Sequence, residues 1–110
     1  LLLHFFLKER QVDGETSPEE QEQSILIQRF CHAHQFTQRE TEIFELLLFH
    51  HTNQEIADQL FLSLGTVKTH VHNIFIKLEI KKRTQIFALF EDFQASTNEK
   101  MTLKKSNDWM

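Results

Sequence analysis

Lys68, Thr69 and His72 are the residues of this chain best suited to reading another molecule through hydrogen bonds. Their spacing of one and then three puts them on one side of a helix. From there a lysine can donate to guanine O6 or N7, and a threonine can hydrogen-bond or lay its methyl on a thymine methyl. A histidine one turn on adds a further polar edge. The same trio also describes an ordinary solvated helix face, and the three residues alone do not separate the two readings. Seven histidines raise a second chemistry, with clusters at Cys31-His32-Ala33-His34 and His50-His51. Zinc takes about four ligands in fixed geometry, and neither cluster has a carboxylate or second cysteine at suitable spacing, so no metal is expected. Cys31 and His32 have the composition of a nucleophile and its base, but adjacent residues on a helix do not face each other. No catalytic residue and no cofactor are expected, and the chain does not read as an enzyme.

The elements that must position Lys68, Thr69 and His72 follow from composition and capping. A length of 110 residues is one domain's worth of chain, and 40% hydrophobic with 25% charged residues is ordinary for a globular protein with a core. Only 2 Gly and 1 Pro argue against the turn-rich all-β folds and against a Gly-rich phosphate loop, which leaves helices. The single cysteine excludes an internal disulfide and fits a reducing compartment. A formal charge of −4 argues by itself against a nucleic-acid partner. Its distribution argues otherwise: residues 1–63 sum to −7, residues 64–83 to +4 and residues 84–110 to −1.

Ser17-Pro18-Glu19-Glu20 is a helix start with a cap, a first-turn proline and a capping-box glutamate. It predicts a helix over about 18–32 with Ile25, Leu26 and Phe30 on its inner side. Thr37-Gln38-Arg39-Glu40 and Thr52-Asn53-Gln54-Glu55 repeat the box and predict helices over about 38–50 and 53–60. Ser63 caps a fourth helix over 64–78, where Val67, Val71, Ile74 and Leu78 keep helical period. His70 lies on that apolar stripe and reads as a core or turn-bracing residue. A last helix over about 83–93 carries Ile86, Phe87, Leu89, Phe90 and Phe93, and residues 94–110 read as a polar tail. The three residues between the short third helix and the fourth force a steep crossing, which is helix-turn-helix geometry.

The TxRExE pattern at Thr37 to Glu42, NxEIA at Asn53 to Ala57, SxxTVKxH at Ser63 to His70, then Lys77-Leu78 and Arg83 stand in a joint order. That order resembles the LuxR-type helix-turn-helix, the DNA-binding output domain of bacterial transcription regulators, over residues 36 to 90. The resemblance implies an all-α fold: a four-helix domain over 36–93 preceded by the extra N-terminal helix within 17–35. It implies base contacts from Lys68, Thr69 and His72, and backbone-contacting or bracing roles for Thr66, Lys77 and Arg83. Asn53, at the start of the bracing helix, can offer an N–H to a phosphate or serve a local bond. Arg39 and Glu40 read as structural, with Glu40 closing a cap and pairing inside the fold. The family usually has glycine where His50 stands, in a left-handed conformation, and Asn or Ser where Lys82 stands.

The resemblance also implies double-stranded DNA as partner, a homodimer on DNA through Ile86, Leu89 and Phe90, and an upstream sensor domain. The chain starts at Leu1, which reads as a piece of a longer protein. Residues 1–16 hold an apolar run, Leu1 to Leu7, too short to cross a bilayer. It is either the end of a membrane tether N-terminal to Leu1, with Lys8 and Arg10 as a positive flank, or the buried end of an upstream element. The expected location is the cytoplasm, as a free protein or as the cytoplasmic domain of a membrane protein. A helical module docking a protein or membrane through its Phe-rich helices is the alternative from a different class.

Overall fold

The computed structural model describes residues 17–107, with side chains through residue 98. The apolar run at Leu1 to Leu7, and with it the choice between tether and buried end, lies outside the described residues. Those residues form five helices and no strand: α1 (Pro18–Ala33), α2 (Gln38–Leu48), α3 (Asn53–Leu60), α4 (Leu64–Leu78) and α5 (Gln85–Asn107). The chain divides after Glu79 into two compact units, with α1–α4 in the first and α5 in the second.

Each of the first four helices starts where a side-chain oxygen can take an otherwise orphaned N–H. Ser17, Thr37, Thr52 and Ser63 accept from the backbone N–H three residues on. At Thr37 and Thr52 the box is complete, because Glu40 and Glu55 accept from the cap N–H at 2.8 Å each. Glu55 is held below the ordinary carboxylate range by the Thr52 N–H and hydroxyl, against a smaller cost of desolvation.

Within the first unit, α2 and α3 both pack on α4, and α1 packs on α2. Ile43, Phe44 and Leu47 of α2, Ile56, Ala57 and Leu60 of α3, and Val67, Ile74 and Leu78 of α4 fill this core. Burying each large aliphatic or aromatic side chain contributes about 1.5–3 kcal/mol. Phe30 of α1 stacks on Phe44 at 5.0 Å between ring centroids, and Phe36 meets Phe44 edge-on at 5.5 Å. His34 lies 4.5 Å from Phe30, and desolvation there lowers its pKa.

Three expectations are corrected. The inner side of α1 is Leu26, Ile27, Phe30 and Cys31, whereas Ile25 is 54% exposed. At about 100° per residue, Ile25 lies nearly opposite the middle of that set, so only Ile27 can join it. Second, α2 ends at Leu48, since Phe49 caps it and His50 turns left-handed. Third, α5 starts at Gln85 and runs on to Asn107, so the polar segment after 93 is helical through that residue. It has no glycine or proline to stop it, and polarity alone does not end a helix.

Candidate nucleic-acid interface

The interface is built on the α3-turn-α4 pair. Phe61 adopts φ 58 and ψ 42, which ends α3 and turns the chain in three residues. Its N–H and that of Leu62 both donate to the Ala57 carbonyl, the latter at 2.9 Å. Ser63 then caps α4 by accepting the Thr66 N–H at 3.1 Å, and its hydroxyl lies 2.8 Å from the Thr66 hydroxyl. The Thr66 N–H is taken by this cap, and the remaining N–H groups of the first turn of α4 are the end of the helix that favours an anion.

Around α4, Val67, Ile74 and Leu78 are buried, and His70 and Val71 flank them half-buried. Gly65, Lys68, Thr69, His72 and Ile76 are exposed on the opposite face. The structure therefore brings Lys68, Thr69 and His72 together on one outward surface of one helix. The Thr69 hydroxyl donates to the Gly65 carbonyl at 3.1 Å, which commits its proton inside the helix and leaves its methyl and oxygen lone pairs for a ligand. From Leu64 to Leu78 there is no carboxylate, so nothing on α4 repels an anion.

Lys77, expected in a backbone-contacting or bracing role, braces the fold: its Nζ donates to Glu40 Oε1 at 2.6 Å and to the Gln35 carbonyl at 3.0 Å. The end of α4 is thereby tied to the first turn of α2 and to the α1–α2 junction. Burial disfavours the Glu40 charge, but Lys77 and the Thr37 N–H and hydroxyl outweigh it and hold the carboxyl below its ordinary range. The sequence reading had Glu40 pairing inside the fold. It did not find Lys77 as the partner, which lies 37 residues away.

The other expected sites are distributed as follows. Thr66 is exposed in the first turn of α4, and Asn53, half-buried, is the first residue of α3. Arg83 is half-buried in the turn before α5, where Gln85 Oε1 accepts the Lys81 and Lys82 N–H groups at 2.8 Å each. This side chain supplies the cap that Lys82 cannot. Of the contact surface expected at Ile86, Leu89 and Phe90, Ile86 and Phe90 are buried within the chain, at 0% and 4% exposure, and Leu89 keeps partial exposure.

Sequence reading identified one left-handed residue, His50, at φ 68. It missed Gln35, Phe61 and Glu79, at φ 59, 58 and 57. None is a glycine, and the only signal for them is where an apolar stripe stops. Among the described residues no group of three or more His, Cys, Asp or Glu gathers as a metal site, and no helix is long and apolar enough to cross a membrane.

The family described as bacterial regulatory proteins, luxR family, matches residues 34–90, just over half of the chain. The matched span takes in α2, α3, α4 and the start of α5 and leaves out α1. The transcriptional regulatory protein LiaR of Bacillus subtilis is 49% identical over 49 residues, covering 44% of this chain and 23% of its own length. The CsgBAC operon transcriptional regulatory protein of Escherichia coli is 46% identical over 56 residues, covering 51% and 26%. The response regulator protein VraR of Staphylococcus aureus is 51% identical over 49 residues, covering 44% and 23%. The chain thus spans about a quarter of the length of the relatives it matches.

Proposed function

This chain belongs to the luxR family of bacterial regulatory proteins, and we propose that it is the DNA-binding output part of a transcription regulator, with α4 in the major groove. The observation that carries the reading is the carboxylate-free outward face of α4, with Lys68, Thr69 and His72 exposed opposite the buried Val67, Ile74 and Leu78. In this arrangement α3 braces α4 from behind, and the three-residue turn fixes their crossing. Lys68 donates to a guanine edge, Thr69 meets a thymine methyl, and His72 contacts the next base along. Thr66, Asn53 and Arg83 take phosphates and set the register without reading sequence. Lys77, held by Glu40 and Gln35, braces the end of the reading helix.

The names of the relatives, transcriptional regulators and a response regulator, support an input part that is joined to this one and set to work by a signal. Two copies would bind a two-fold site through the exposed side of α5, with Leu89 at the contact. The site of action is the cytoplasm, where the chromosomal DNA lies. Fluorescence anisotropy of labelled duplexes at several salt concentrations tests the reading. Affinity should fall linearly with salt on a log–log plot, with a slope of about −0.9 per phosphate neutralised. Binding that is absent at low salt, or indifferent to salt, would refute it.

A further inference from the structure

One large aliphatic side chain on α4 has no use in the fold. Ile76 is 61% exposed, while Val67 and Ile74 on the same helix are at 0%. At about 100° per residue, Ile76 lies opposite the buried line of Val67, Ile74 and Leu78. Spacings of three and four place it in one row with Thr69 and His72. A single exposed isoleucine is ordinary by itself. This one stands in the last turn of α4, on the same outward side as Lys68, Thr69 and His72, and no carboxylate interrupts that side between Gly65 and Lys77, so the side suits an anionic partner over a purely apolar one.

Resting on the reading that α4 occupies the major groove, we infer that Ile76 is a specificity-determining residue that packs on the 5-methyl group of a thymine. Isoleucine has no donor or acceptor, so it can distinguish bases only by apolar contact. The thymine methyl is the one apolar group presented on the major-groove edges. Ile76 lies eight residues beyond Lys68, or roughly 12 Å along the helix. That is about three to four base steps at 3.4 Å each, so its thymine is not the one assigned to Thr69.

The test uses the whole 110-residue chain and a duplex that it selects from a random library. Each thymine in turn is replaced by deoxyuridine, which removes only the methyl, and affinity is measured for the unaltered protein and for Ile76→Ala. For the unaltered protein, one replacement per half-site beyond the one answering to Thr69→Ala should weaken binding about fourfold, the effect of one buried methyl. Ile76→Ala should be insensitive to that replacement and keep every other preference. Identical deoxyuridine profiles for the two proteins, or a loss in Ile76→Ala spread evenly over all duplexes, would overturn the inference while leaving DNA binding in place. Failure to select or bind any duplex at low salt would instead strike the major-groove reading itself, and this inference with it.

Discussion

Lys77 shows how two cations near one interface can have unrelated duties. Its ammonium is held by Glu40 and the Gln35 carbonyl, so Lys77→Met should leave a buried carboxylate without its cation and destabilise the fold by about 2 kcal/mol. Urea denaturation measures that loss. The salt slope of DNA binding, taken well below the unfolding midpoint, should not change, whereas a reduction of the slope by about one would restore Lys77 to the phosphates. Arg83→Ala should do the opposite, reducing the slope by about one with all sequences weakened alike. Identity and spacing made Lys68, Thr69 and His72 legible, because an outward row follows from the inward one once a helix is granted. The engagement of Lys77 was not legible, since its partners are distant in the chain and converge only after α2 and α4 have packed.

The helices themselves were legible because their starts are written in local chemistry. Thr37 and Thr52 open complete capping boxes, and Ser63 opens α4 with a single bond to the Thr66 N–H. Removing that bond in Ser63→Ala should cost about 1 kcal/mol. Helix ends were less legible. His50 was identified, but Phe61 and Glu79 also turn left-handed without glycine, against a steric penalty of about 1–2 kcal/mol for an L side chain. Glu79→Gly should therefore raise stability by about 1 kcal/mol, with a smaller gain for His50→Gly because histidine tolerates this region better. A loss of stability in Glu79→Gly would show that the glutamate side chain makes a compensating contact. The α1 face was misassigned at Ile25 because Leu26 and Phe30 can share a face with either Ile25 or Ile27, and only the burial of Cys31 turns it toward Ile27. The run of α5 to Asn107 was missed because its second half lacks an apolar stripe, which is the signal that periodicity reads.

For the molecule as a whole, a net charge of −4 conceals a segment of +4 over residues 64–83. The acidic remainder should suppress indiscriminate adhesion to DNA and concentrate attraction on α4 and its exit. Acid should weaken the fold through Glu40. Its carboxyl is depressed in the folded state, so its contribution is complete above the ordinary value of 4.5 and is lost as pH falls below that through the folded value. Thermal melts between pH 7 and pH 3 should show a falling midpoint, with the fall shallower in Glu40→Gln; equal slopes would exclude Glu40 as the source.

The central claim is that the outward face of α4 reads base pairs, and repeating the selection from a random duplex library with Lys68→Ala tests it most directly. The variant should recover the same site with preference relaxed at one base-pair position per half-site, corresponding to a loss of about 1–3 kcal/mol of discrimination there. Recovery of an unchanged motif with undiminished preference at every position would contradict it.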